Sequence, residues 1–348
     1  MNIIFIAFTN QKNNIFNDKS VLYRCLFIGK ELERLGNKIT IIESKNFFDN
    51  YSLEYDIYVF FRPNKTINNF ECIINILKKN KKILFASYDD LIFSKRLAPQ
   101  APSIVNNFDK LEKIEQYFLE NELTLHYFDK VIVSTACLKN EIIKIVPNIE
   151  VNIINNFIPD NIYDFTNSRY VHEVKRNFQI GYMCGTASHN NDFKIIEDVL
   201  IKYALDYPNI KILIVGPLTN DTDLFKLDNV YRVDAVGYEG MFYFLSQCNF
   251  VIAPLVKNEF NFSKSNIKFL ESQVVFTRLI VQSGFSEFDS FADEFIDCAD
   301  NKNDWYNYFN RNYTFYNNKE YINSIKLLRL DLKKKYLLEI KQLLTNFS

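Results

Sequence analysis

The sequence predicts two doubly wound α/β domains facing a cleft, followed by a C-terminal helix packed across both. Three observations point to this fold. Short apolar runs alternate with amphipathic segments, which is how parallel sheets wrapped by helices read in sequence. The alternation breaks off at a polar stretch, Asp160 to Asn177, and then starts again. The chain has 348 residues, enough for two domains of about 150 residues each. Apolar residues make up 48% and charged residues 24%, values that exclude wholesale disorder.

In the first half, Ile3 to Phe8 reads as a strand. A helix from Ser20 to Leu35 follows and stops at Gly36, a residue suited to the position just past a helix end. Ile39–Ile42, Ile57–Phe61, Ile83–Ala86, Val131–Ser134 and Val151–Ile154 are further strands, with helices over Ile67–Lys79 and Ala136–Ile145. This half, residues 1–160, is the expected first domain, and the polar stretch is its linker. The strand Phe178–Tyr182 then opens the second domain, residues 161–318. It leads through the loop Met183–Ser188 into a helix from His189 to Tyr207, whose Phe193, Ile196, Val199, Leu200 and Tyr203 fall at spacings of three and four. Ile210–Val215, Phe250–Pro254 and Leu279–Val281 are strands, and a helix is expected to begin near Lys264. The last helix, Lys319 to Asn346, belongs to a final segment, 319–348. Over Lys319 to Lys341 it has seven cations against three anions, a net +4. A solvated face explains such a helix, and contact with anionic lipid headgroups on the inner face of a membrane is the alternative.

Lys and Arg total 41 against 42 Asp and Glu, for a net charge of −1. No broad basic field exists to hold a nucleic-acid backbone, so nucleic acid is excluded as a partner. The six cysteines lie far apart with no C-x-x-C pair, which argues against a disulfide framework or zinc site and fits a reducing cytoplasm. The apolar opening is too short for a signal peptide, and no apolar run reaches the ~20 residues that span a bilayer.

The candidate chemistry concentrates between Asn261 and Glu271. On a helix, Lys264, Lys268 and Glu271 would share one face. Two lysines in the first turns oppose the helix dipole and each other, and a bound anion reverses both penalties. A pyrophosphate there would take the N–H groups of Ser265 and Asn266, and Glu271 could accept from a sugar diol. An ordinary Lys268–Glu271 surface pair beside a solvated Lys264 is the competing reading. Facing this segment, Gly181-x-x-x-Gly185-Thr186 joins a strand to a helix, with Ser188 placed as its cap and His189 able to donate to an anion. The loop is neither a dinucleotide fingerprint nor a P-loop. In the first half, Asp89-Asp90 follows a strand and points into the cleft. One acidic pair without a third oxygen ligand makes no metal site. His126 and His172 are read as structural. Arg24, Arg62 and Asp90 follow strands of the first domain and are the candidates for the facing, acceptor side.

Taken in order, these segments resemble the bacterial retaining glycosyltransferases of family 4, which have two Rossmann-like domains of the GT-B type. The resemblance lies in Ile180-Gly181-Tyr182, Gly185-Thr186-x-x-His189-x-x-Asp192-Phe193, Ile214-Val215-Gly216-Pro217-Leu218, Ala253-Pro254-Leu255 and Phe262-Ser263-Lys264-Ser265-x-x-Lys268-x-Leu270-Glu271. In the first half it lies in Phe61-Arg62-Pro63, Tyr88-Asp89-Asp90, Val133-Ser134-Thr135 and Asn156. The resemblance implies a nucleotide-diphosphate sugar in the second domain and an acceptor hydroxyl, on a surface glycan or lipid-linked glycan, in the first. Lys264 and Lys268 would meet the diphosphate and Glu271 the ribose, with Gly185, Thr186 and His189 near the phosphates or the transferred sugar. It also implies retention of anomeric configuration without metal or other cofactor. The chain departs from the pattern where Ser263 replaces the first of two glutamates.

Overall fold

The computed structural model describes all residues except 12–13, 168, 170–175, 220, 293, 312–318 and 346–348. The described residues form two six-stranded sheets, every pairing parallel. The first contains β1 (Asn2–Ala7), β2 (Lys38–Glu43), β3 (Ile57–Phe61), β4 (Ile83–Tyr88), β5 (Lys130–Val133) and β6 (Glu150–Ile153), in the order β2-β1-β3-β4-β5-β6. The second contains β7 (Phe178–Met183), β8 (Ile212–Val215), β9 (Val230–Val233), β10 (Cys248–Ala253), β11 (Arg278–Gln282) and β12 (Ile296–Ala299), in the order β12-β11-β10-β7-β8-β9. Each sheet reverses its winding once, between β1 and β3 and between β7 and β10. At such a switch point the outgoing loops diverge and leave a crevice beyond the strand ends.

Buried apolar runs such as Ile3–Ala7 and Ile57–Phe61 make both faces of the first sheet core, as expected of strands covered by helices on both sides. The two domains also share core. Leu22, Tyr23 and Phe27 of the first pack with Met241, Phe242 and Phe269 of the second. The last helix, Lys319–Thr345, crosses between them: Tyr321 and Ile325 join the second domain's core, while Tyr336, Ile340 and Leu343 join the first's.

Several elements differ from expectation. The helix expected over Ser20–Leu35 is three pieces, Lys19–Val21, a widened π segment Leu22–Phe27, and Ile28–Arg34. The segment expected to be an irregular linker begins with a helix, Asp160–Thr166. The rest of that stretch lies partly outside the described residues, as do His172 and the end of the last helix at Asn346. The helix expected over His189–Tyr207 is broken into Asn190–Phe193 and Glu197–Asp206. The helix expected to begin near Lys264 begins at Ile267. Strands β9 and β12 and the helix Leu111–Leu125 were not expected.

Candidate functional site

The crevices of the two switch points face each other. Two adjoining cavities, of about 930 Å³ and 310 Å³, share Lys19, Arg62, Asp90, Gly185, His189 and Lys268 among their walls. Lys264 and Thr186 line both as well. Each of these residues follows the end of β1, β3, β4, β7 or β10.

The Gly185 loop owes its path to close packing behind it. Gly216, just past β8, has φ of +114°, and a Cβ there would lie 1.9 Å from the carbonyl oxygen of Cys184. Only glycine allows that contact. Gly185 and Thr186 are therefore presented to the cleft as exposed backbone. Thr186 Oγ1 pairs with Ser188 Oγ at 2.5 Å. Ser188 consequently does not cap the following helix as the sequence suggested. Its carbonyl instead accepts from Asn106 Nδ2 of the first domain at 2.7 Å.

His189 Nδ1 lies 3.0 Å from Asp192 Oδ2. Burial, then the charge of Lys264, holds the imidazole below its ordinary range despite Asp192. Burial alone would raise the Asp192 carboxyl, but the His189 hydrogen bond and Lys264 hold it below the usual carboxylate value. A neutral ring beside a carboxylate donates from Nδ1, which makes Nε2 an acceptor. With Nδ1 engaged by Asp192, Nε2 is the ring nitrogen left to meet a ligand. Asp192 stands in the motif quoted above but had no role assigned from the sequence. Its Oδ1 also takes the Val256 N–H at 2.9 Å and Asn261 Nδ2 at 3.2 Å, so it ties His189 to the segment leading into Lys264.

Lys264, preceding the helix Ile267–Val274, does not share a helical face with Lys268 and Glu271, but the turn still delivers it to the same cavities. Lys268 Nζ lies 3.3 Å from Glu271 Oε2. The other oxygen of Glu271, Oε1, accepts from Tyr23 Oη of the first domain at 3.2 Å, and Tyr23 Oη meets Tyr238 Oη at 2.7 Å. Ser265 Oγ accepts from Asn156 Nδ2 at 2.8 Å.

On the facing side, Arg62 sits in the left-handed region at φ of +53° and donates from Nε to Asp89 Oδ1 at 2.7 Å and from Nη2 to Ser20 Oγ at 3.1 Å. Strain at a cleft residue held by its surroundings is a common mark of a functional position. Asp90 lines both cavities. With Asp89 engaged by Arg62, no group of three or more His, Cys, Asp or Glu side chains suited to a metal comes together among the described residues. Arg24 is the misplaced candidate. It is buried, lines neither cavity, and donates from Nη1 to the Ile154 carbonyl at 2.6 Å and to Asn156 Oδ1 at 3.2 Å. It holds Asn156, whose amide donates to Ser265 Oγ. Lys19, by contrast, lines both cavities and was passed over, because a lone lysine beside a helix start carries no spacing signal.

No family model matches the chain, and no curated protein matches it. Solved structures do. HepE of Anabaena, in complex with UDP and glucose, aligns with a TM-score of 0.56 over 99% of this chain and 98% of that one, at 12% identity. An alpha-glucosyltransferase in complex with UDP and DNA aligns with a TM-score of 0.59 over 98% and 93%, at 14% identity. TarM, whose S. aureus form is also among the matches, aligns with a TM-score of 0.54 over 84% of this chain at 14% identity. This chain spans 54% of TarM's length.

The chain has the GT-B fold. β7, β10 and the helix Ile267–Val274 line one side of the cleft, and β1, β3 and β4 the other. No helix among the described residues is long and apolar enough to cross a membrane. The +4 of the last helix is partly spent on packing, with Lys333 paired to Asp160 and Arg329 lying over the Tyr163 and Phe276 rings.

Proposed function

We infer that the chain is a glycosyltransferase that moves a sugar from a nucleotide-diphosphate sugar to a hydroxyl of a bacterial surface glycan or lipid-linked glycan. The observation that carries this reading is the convergence of Lys264, Lys268, Glu271 and the exposed Gly185–Thr186 backbone on one side of a cleft, opposite Arg62 and Asp90. Structural relatives that bind UDP and a sugar in the same fold support it.

Departure of the nucleoside diphosphate builds negative charge, and lysines already held in place stabilise that charge as it develops. In this reading side-chain cations do the work, without a divalent metal. Glu271, oriented by Tyr23 and Lys268, accepts from the ribose diol. His189 Nε2 accepts from a hydroxyl of the transferred sugar, with Asp192 fixing the tautomer. The leaving phosphate takes the acceptor's proton on the face it departs from, which retains configuration as in family 4. Arg62 and Asp90 position the acceptor. The exposed Lys326, Lys334 and Lys341 of the last helix add a weak attraction to anionic headgroups where the acceptor is lipid-linked.

The test is a thermal-shift panel of UDP, GDP, CDP, dTDP and ADP with and without magnesium, followed by product analysis with the matching sugar nucleotides. One diphosphate stabilising the fold without metal, with a new glycosidic bond in the products, is the expected result. An epimerised sugar without a new bond, or binding without any turnover, overturns the transferase reading.

A further inference from the structure

Lys19 is the cleft residue for which neither the sequence pattern nor the donor-side motif has a use. It belongs to the first domain, yet its Nζ reaches Met241 Sδ of the second at 3.7 Å. It lines both cavities together with Lys264 and Lys268. Burial lowers its pKa; Glu271 opposes that shift and Lys268 adds to it. Among the described residues, no carboxylate lies within ion-pairing distance of either Lys19 or Lys264. Lys19 and Lys268 thus flank Glu271, a carboxylate already shared between Lys268 and Tyr23, while the charge of Lys264 acts on His189 and Asp192. A half-buried ammonium whose hydrogen-bond partner is a thioether is poorly compensated. Lys19, Lys264 and Lys268 outnumber Glu271 and Asp192 at this corner, which favours an anion there.

We propose that Lys19 is a third phosphate-holding cation of the cleft, supplied by the opposite domain, so that the donor diphosphate is gripped from both sides. This rests on the nucleotide-sugar reading above. Lys264 and Lys268 approach the diphosphate from the second domain, and Lys19 approaches across the gap from the start of the helix Lys19–Val21. Asp18 caps that helix: its Oδ1 accepts from the Ser20 N–H at 2.9 Å, and its Oδ2 accepts from Thr9 Oγ1 at 2.8 Å. Because Lys19 and Tyr23 both cross between the domains, diphosphate binding and the seating of the two domains on each other are coupled.

The experiment is calorimetric titration of UDP and of uridine into the parent, Lys19→Met, Lys19→Arg and Lys264→Ala, with melting of each unliganded variant as the folding control. Methionine keeps the stem that packs on Met241 and removes only the charge. A charge-assisted contact of ordinary strength predicts UDP binding weakened about tenfold or more in Lys19→Met. Uridine affinity should be unchanged, and Lys19→Arg should keep most of the UDP affinity. UDP affinity within twofold of the parent in a normally melting Lys19→Met, while Lys264→Ala is weakened, overturns the role of Lys19 and leaves the donor site standing. Equal losses for UDP and uridine in Lys19→Met also overturn it, since they mark a general disturbance of the cleft. A parent that binds none of UDP, GDP, CDP, dTDP and ADP overturns both this inference and the reading on which it rests.

Discussion

Tyr23 of the first domain donates to Glu271 of the second across 3.2 Å, and the same phenolic oxygen meets Tyr238 at 2.7 Å. The carboxylate assigned to the donor is thus aimed by a residue of the opposite domain. Both partners are buried, so the bond is worth more than a surface contact. Tyr23→Phe is expected to cost about 1.5–3 kcal/mol, the range for hydrogen bonds to charged groups. Tyr238→Phe removes only the neutral bond and should cost about 0.5–1.5 kcal/mol. Denaturant melts of the two variants check the ranking, and donor KM should rise more for Tyr23→Phe.

Lys264→Ala and Lys268→Ala should each lower transfer about ten- to hundredfold, as expected for losing one charge-assisted contact to the leaving group. They should differ in stability. Lys268 is paired with the buried Glu271 at 3.3 Å, whereas Lys264 has no carboxylate within ion-pairing distance among the described residues. Melting curves should therefore fall for Lys268→Ala and stay near the parent for Lys264→Ala.

The pH dependence follows from His189 and Asp192. Burial and Lys264 hold the folded His189 below its ordinary value, about 6.5 in an unfolded chain. As pH falls through that value the unfolded chain takes up a proton that the folded one resists, so stability declines. Asp192, with its folded value also depressed, contributes stability above the ordinary carboxylate range that is lost on further acidification through its folded value. His189→Gln can keep a donor on Asp192 and removes the first slope. Urea midpoints between pH 5 and 7 should fall less steeply for this variant than for the parent.

Arg62 combines backbone strain with a cleft ion pair, and two substitutions separate them. Arg62→Ala loses the Asp89 and Ser20 bonds but keeps φ near +53°. Arg62→Gly loses the same bonds and relieves the strain, so it should be the more stable of the two by about 1–2 kcal/mol. Acceptor KM should rise alike in both, since the same guanidinium is missing.

Gly216→Ala places a methyl group 1.9 Å from the Cys184 carbonyl oxygen at a φ of +114°. The loop must move or the strand end must yield. We expect a loss of about 3 kcal/mol or more, with donor binding lost in whatever protein still folds, measured by melting temperature and UDP titration.

The alternation of strands and helices was readable because it follows from burial. Runs such as Ile57–Phe61 are apolar on both faces only if helices cover both sides of the sheet. The cleft residues of the second domain were readable because Gly185, Thr186, Lys264, Lys268 and Glu271 lie within two short segments that each follow a strand. Strands β9 and β12 escaped notice for a related reason. Val230–Val233 sets two exposed residues, Tyr231 and Arg232, between half-buried valines at a sheet edge, and Ile296–Ala299 interrupts its apolar run with Asp297, which is buried against Arg278.

By itself, then, the sequence determined the two parallel α/β halves and the segments that bring phosphate-binding residue types to the strand ends, since both depend on local periodicity and composition. The tertiary structure alone decided which charges face the cleft and in what state. Arg24 turned inward to Ile154 and Asn156, and Lys19 crossed to Met241. Both outcomes depend on desolvation and on partners more than a hundred positions away in the chain. No spacing along the chain encodes such contacts.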